Sequence, residues 1–460
     1  MAKRKPRYLF RILILVVPAV LIFLGVAAFR SGPAAVIQIR SSMPGIGKLT
    51  PVEISIDEPV RGLSRLRIEV AQGERVEVLE ERSYTPRSPW QFWGPRIPRE
   101  DMVVNVGKDT IDGLKEGEAT IRVIADRAPA WLRRPEPASE ELTLSVKLRP
   151  PSLQVQSLHT YVSQGGSEAV VYRVGDSSIR DGVRAGDWWF PGYPLPGGGE
   201  RDRFALFSMP YDMENGSDIW LTAVDDVGNE ATASFIDRAS SKPLRREQVG
   251  LSDSFMQRVV PPIQDQNPDL DETGDLLQDY LKINGELRQA NADTLKRLAE
   301  ASPPEFRWDK KFVPMRNGQV MSAFAVRRTY TYNGQAVDQQ DHLGFDLAST
   351  SHAEIQASND GVVVLAGYFG IYGNCVVIDH GYGLLSLYGH LSSIGVEEGQ
   401  TVERYEAIGR SGQTGLAGGD HLHFTILLRG LPVNPQEWWD GHWIHDRLKL
   451  KLGSALPFER

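Results

Sequence analysis

Asp420-His421-Leu422-His423-Phe424 sets two imidazoles two residues apart, in a run that alternates polar and apolar side chains. Such alternation reads as a half-buried strand, on which residues i and i+2 share one face. Both histidines then project from one side of a sheet, with Leu422 and Phe424 packed behind. Upstream, Asp341-His342-Leu343-Gly344-Phe345-Asp346 offers another imidazole and a carboxylate. Two histidine nitrogens and one carboxylate oxygen suit zinc with a fourth position open to water. His342, Asp346 and one histidine of the 421/423 pair supply that set; spacing alone does not say which one.

The set makes a geometric demand. On a straight strand His342 and Asp346 would lie roughly 13 Å apart, whereas zinc–ligand bonds are about 2.0–2.2 Å. The chain must bend between them, and Gly344 is the residue that permits a bend. His390, in Tyr388-Gly389-His390-Leu391, is a further candidate at the end of a strand-like run. No H-E-x-x-H is present, so no helix-borne glutamate can act as general base. Hydrolysis would therefore rely on non-ligand histidines to move the proton and stabilise the oxyanion. His380 reads as a turn residue, His352 as a polar-loop residue without motif support, and His442 and His445 as part of a C-terminal packing cluster with Trp438, Trp439 and Trp443.

The elements that position these residues belong to a chain of 460 residues, long enough for several domains. Cys375 is the only cysteine, so neither a disulfide framework nor a cysteine zinc site can form within one chain, and it reads as a small strand hydrophobe. Lys3, Arg4, Lys5, Arg7 and Arg11 precede an apolar run from Ile12 to Phe29, closed by Arg30. The run is about long enough to span a bilayer, and its basic flank places the N-terminus in the cytoplasm. It exceeds a usual signal core, which favours an uncleaved anchor over a cleaved signal peptide. Residues 1–30 hold six basic and no acidic side chains, leaving 45 basic against 59 acidic beyond them, a balance of −14. An acidic exported body excludes nucleic-acid binding as the working class.

From Val36 to about Pro150 short alternating strands recur, such as Val52–Ile56, Leu66–Val70 and Leu142–Val146. The Pro-rich break Thr85–Pro98 carries Trp90 and Trp93. A second copy follows, since Gly117–Asp126 resembles Ser217–Asp226, and both look like late strands of bacterial immunoglobulin-like domains. The Trp188-Trp189-Phe190 to Gly199 cluster reads first as a packed loop, with a sugar-binding surface as its sharper alternative. Between Ser240 and Pro304, Leu276, Leu277, Tyr280, Leu281, Leu287, Leu295 and Leu298 recur at helical spacing. Asn284, Arg288 and Asn291 interrupt that apolar face. A spacer helix is the favoured reading, a helix lying across the catalytic domain the sharper one. From Phe306 onward glycine-rich strands return.

The block from Met321 to about Trp439 resembles the lysostaphin-type (LytM-type) zinc metallopeptidases that cut peptidoglycan cross-bridges. The matching stretches are His342–Ala348, Gly373-Asn374 with Ile378–Gly381, Tyr388–Ser392, Gly409–Gly415 and His421–Phe424 followed by Pro432–Pro435. The resemblance implies His342, Asp346 and His423 as Zn2+ ligands, with His390 and His421 as the catalytic pair. Ser386 stands where threonine is frequent, and Ala325 where glycine is.

The expected fold is mainly β: two β-sandwich, immunoglobulin-like modules (31–150 and 151–240), a helical linker (241–305) and an antiparallel β-rich catalytic domain (306–445). An anchor (1–30) precedes them and a tail (446–460) follows. The implied function is a zinc metalloendopeptidase acting on peptidoglycan peptides, held in the inner (cytoplasmic) membrane by a single pass with its bulk in the periplasm. The alternative is a non-catalytic or autoinhibited envelope scaffold serving a partner hydrolase, with a regulatory envelope protein as partner and the helix at 273–300 as the inhibiting element.

Overall fold

The computed structural model describes residues 7–29, 32–86, 88–89 and 94–459. Lys3, Arg4, Lys5 and Arg30 of the basic flanks, and Trp90 and Trp93, lie outside the described residues. The N-terminal helix Arg7–Phe29 exposes the apolar side chains of Leu15, Leu21 and Ile22. Among the described residues, no helix is long and apolar enough to cross a membrane.

The chain is mainly β, with predominantly antiparallel sheets, and it forms two compact units: 1–151 with 224–230, and 152–223 with 231–460. In the first unit, Thr50–Asp57 is the centre of a three-stranded sheet between Val36–Ser41 and Arg99–Val106. A five-stranded sheet runs Gly45–Ile46, Ala138–Val146, Gly117–Arg127, Leu63–Gln72, Arg75–Ser83. Strand alternation decides what is inside: Ile54, Ile56, Ile68, Ile121 and Val123 form one core.

The second unit holds the segments expected as second module, linker, peptidase domain and tail. Two four-stranded sheets occupy its early part, and there Phe190 is core while Trp188 and Trp189 are half-buried. The tryptophans are not in a loop: Trp188–Pro191 is a strand paired antiparallel with Ser178–Ala185, with Lys296 over the Trp188 ring and Arg180 over that of Trp189. The site rests on an eight-stranded sheet whose main path runs Gln319–Ser322, Phe345–Ala348, Leu422–Leu428, Leu384–Leu391, Asn374–Asp379, Gly361–Tyr368, Thr401–Val402, every neighbour antiparallel. Strands Leu384–Leu391 and Leu422–Leu428 are buried along their whole length, as central strands covered on both faces must be. Cys375 is buried in Asn374–Asp379, and burial pushes its thiol up.

Three expectations are corrected. The linker is not wholly helical: it begins with a strand, Arg245–Gly250, which pairs in parallel with Val326–Tyr332, while the strands after Phe306 pair antiparallel among themselves. The helical stretch 276–300, with a wide turn at Ile283–Leu287, is not merely a spacer. Tyr280 and Ile283 share a core with Tyr330 and Ile371 of the β-region that follows, and Asn284 donates to Asp338 at 2.7 Å. Finally, the segment expected as a tail packs on the unit's core through residue 459: Leu448, Leu452, Leu456 and Phe458 are buried in it.

Candidate metal centre and active-site cleft

Strand register builds the site. Asp346 and His423 are direct cross-strand partners between Phe345–Ala348 and Leu422–Leu428, and Gly389 faces His423 from the other side. His342 ends the strand Gln335–His342, and the chain breaks at Leu343-Gly344 before Phe345 begins the next sheet. Gly344 is needed for space rather than for an unusual φ. A Cβ there would lie 2.5 Å from Thr425 Oγ1 and 2.6 Å from His423 Nε2. The bend thus brings His342, Asp346 and His423 together, with one ligand atom of each within 4.8 Å of the others.

The tautomers of both imidazoles follow from their outer partners. His342 Nδ1–H donates to the Ala323 carbonyl at 3.0 Å, leaving Nε2 unprotonated. His423 Nε2–H donates to Thr425 Oγ1 at 3.1 Å, and Thr425 in turn donates to the Leu343 carbonyl at 3.1 Å. The two free nitrogens, His342 Nε2 and His423 Nδ1, face each other at 3.2 Å. Asp346 Oδ1 lies 2.9 Å from the first and 3.0 Å from the second. Two lone pairs and a carboxylate oxygen converging in a buried site fit a cation, and outer partners of this kind orient metal-binding histidines. The donor set fits zinc.

Electrostatics agree with that arrangement. Burial opposes ionisation of Asp346, yet its close interactions with His342, His421 and His423 hold its carboxyl well below the usual range. Burial depresses His423 to about 4. Arg328 donates to the other carboxylate oxygen, Oδ2, at 3.0 Å, and so turns Oδ1 toward the imidazoles.

His390 and His421 stand beside this group, their ring centroids 4.8 Å apart. His390 Nδ1–H donates to the Thr414 carbonyl and His421 Nδ1–H to the Gly419 carbonyl, both at 2.8 Å. Each ring therefore keeps Nε2 for chemistry. Burial depresses His390 to about 3, with the neighbouring His421 and His423 adding to it. Burial works against charge on His421 as well, but Asp346 prevails and raises it. His390 has a φ of 64°, a left-handed backbone that a non-glycine residue adopts at some cost, as constrained site residues do.

The five residues singled out from sequence, His342, Asp346, His390, His421 and His423, line one cleft of about 600 Å³. The other histidines do not. His380 is fully buried, bonded to the Asp360 carbonyl and to Ser386 Oγ, and burial lowers it to about 4. His352 is largely exposed and bonds Ser392, while His442 is exposed near Asp440. Sequence reasoning missed Arg328, Thr425 and Tyr372, whose ring lies 5.5 Å from that of His423. Of these only Thr425 carried a signal: it sits two residues after His423 and so on the same strand face.

Comparison with known proteins finds similarities over this region. Residues 340–435 match Peptidase family M23. The chain is 35% identical over 178 residues to the peptidoglycan DD-endopeptidase ShyA of Vibrio cholerae, covering 39% of this chain and 36% of that one. It is 44% identical over 94 residues to the DD-carboxypeptidase/endopeptidase Mpg of Neisseria meningitidis, covering 20% and 22%. The catalytic domain of lysostaphin from Staphylococcus simulans aligns at 25% identity over 27% of this chain and 92% of that domain, with a TM-score of 0.23. The chain thus spans about a third or less of the curated relatives it matches. Residues 340–435 are thus similar to Peptidase family M23 and to part of a peptidoglycan DD-endopeptidase.

Proposed function

We propose that this protein is a zinc-dependent metalloendopeptidase that hydrolyses peptide stems or cross-bridges of peptidoglycan. The observation that carries the reading is the convergence of His342 Nε2, His423 Nδ1 and Asp346 Oδ1 in a cleft that also presents the Nε2 atoms of His390 and His421. His342, Asp346 and His423 would hold the metal. When bound, zinc supplies Lewis acidity and makes a water nucleophilic near neutral pH. His390 and His421, each anchored at Nδ1, handle the proton. An Nε2 takes it from the attacking water, and a protonated ring donates to the developing oxyanion. Peptidoglycan as substrate is supported by the names of the relatives.

The apolar run 12–29 and its basic flank support retention in the cytoplasmic membrane, with the remainder in the periplasm. Under this reading the first unit and the early sheets of the second stand between anchor and peptidase region. The mass of the mature N-terminus and fractionation with membranes test the anchor. For the activity, purified peptidoglycan is digested with and without chelator and the products are identified by mass. New peptide ends that appear only with metal support the reading; turnover by metal-free protein sinks it.

A further inference from the structure

The helical stretch 276–300 forms one wall of the cleft, and three of its polar residues divide the work. Asn284, fully buried, donates to Asp338 Oδ2 at 2.7 Å. Asn291, also buried, accepts from the Ile371 amide at 3.0 Å and so pins the turn Gly370–Tyr372. Arg288 lies between these two anchors and lines the cleft. Its Nε donates to the Asn284 carbonyl at 3.1 Å and one terminal nitrogen to Asn284 Oδ1 at 2.6 Å. Both partners are neutral. Arg288 shares that cleft with His342, Asp346, His423 and Tyr372, whose ring is 5.5 Å from that of His423.

The other charges of the cleft are differently placed. Arg328 is taken by Asp346. Asp420 accepts from Ser411, Ser351 and the His352 amide. Glu247 is the cross-strand partner of Arg328. Among the described residues, none of these carboxylates forms an ion pair with Arg288, which is a half-buried, pre-oriented cation without an anionic partner of its own. A planar guanidinium held in this way matches a carboxylate with two parallel hydrogen bonds.

We propose that Arg288 is a specificity-determining residue that receives a carboxylate flanking the scissile bond, so that the cleft takes acidic stem peptides in preference to neutral, all-glycine bridges. This rests on the peptidase reading above. It assigns the helical stretch a role in substrate choice, as a wall in which buried Asn284 holds the arginine in place.

The test uses the full zinc-loaded chain and two synthetic cross-linked peptides, one with free carboxylates and one with the same carboxylates amidated. In the wild type, amidation should lower kcat/KM by roughly tenfold to a hundredfold, chiefly through KM. Arg288→Gln should lose the same factor on the free acid and become indifferent to amidation, while Arg288→Lys restores part of the loss. Equal turnover of both peptides by the wild type overturns the proposal. So does an Arg288→Gln defect of the same size on both peptides, because the lesion then lies in the wall and not in carboxylate recognition. Should Arg288→Gln fail to fold by circular dichroism, the amidation ratio of Arg288→Lys against wild type decides: an unchanged ratio overturns the proposal, a reduced one supports it. If the wild type cleaves neither peptide nor peptidoglycan, the peptidase reading itself fails and takes this inference with it.

Discussion

Arg328 and Asp346 are joined through the carboxylate oxygen that points away from the imidazoles, Arg328 donating to Oδ2 at 3.0 Å while Oδ1 faces His342 and His423. The contact crosses from strand Val326–Tyr332 to strand Phe345–Ala348, so the arginine fixes a carboxylate that belongs to a different sheet. It sets which oxygen is presented and keeps the group ionised. Outer partners of this kind are worth about 10–100-fold in metal affinity.

Arg328→Met keeps most of the side-chain volume and removes the donor. Competition with a chromogenic chelator should show zinc affinity reduced by roughly 10–100-fold, with the thermal transition of the second unit largely retained. Unchanged affinity would mean that Asp346 is positioned by the sheet alone.

His423 and His390 should separate on the same pair of assays. His423→Ala removes a converging nitrogen, so both bound zinc and hydrolysis of cell wall should be lost. His390→Ala leaves the three converging atoms untouched, so zinc measured by atomic absorption should remain near stoichiometric while hydrolysis falls by roughly 100-fold or more. Loss of zinc in His390→Ala would assign that ring to the metal and not to the proton.

The sequence showed the chemistry of this site more clearly than its enclosure. Spacing put His421 and His423 on one strand face, and both line one cleft. Spacing could not rank them, because what distinguishes them is register: His423 lies opposite Asp346, while His421 precedes the strand and bridges Gly412. The demand for a bend at Gly344 pointed to the right residue for the wrong reason, since close packing on His423 and Thr425 excludes a side chain there. The helical wall was legible as an apolar stripe, with a spacer favoured over a helix lying across the catalytic domain. Asn284 and Asn291 looked like defects in that stripe because their partners, Asp338 and Ile371, lie 54 and 80 residues away. Periodicity carries no record of contacts at that range.

Ala325 illustrates a departure from family pattern with a physical consequence. Its φ is 62°, and its amide donates to the His342 carbonyl at 2.8 Å, so the left-handed turn starts the strand that pairs with His342. A left-handed conformation costs an L-residue about 1–2 kcal/mol, and glycine escapes it at about 0.4–1 kcal/mol of added unfolded-state entropy. Ala325→Gly should therefore stabilise the second unit by roughly 0.5–1 kcal/mol in urea denaturation. A destabilised variant would show that the methyl group packs more favourably than the turn is strained.

Glu437 gives the second unit a pH dependence unconnected with the metal group. It lies on the short helix Pro435–Trp439, half-buried as a residue, with its carboxylate accepting from the Ser167 amide at 2.7 Å. Burial pushes the carboxyl up to about 8; nearby Glu168 adds to this, while the Ser167 hydrogen bond and Arg447 act against it. The folded value lies above the unfolded one, so the folded state binds the extra proton. Its stabilising contribution is complete below about pH 4.5 and disappears as pH rises through about 8. Within that window one proton changes stability by up to roughly 1.4 kcal/mol per pH unit. Glu437→Gln retains an acceptor for Ser167 and cannot ionise. Its melting temperature should accordingly decline less than that of the wild type between pH 5 and pH 9, the two curves diverging as pH rises. Parallel curves would show that the carboxyl already ionises near its ordinary value in the folded chain, with solvent reaching the helix Pro435–Trp439 more freely than its packing on Ser167 implies.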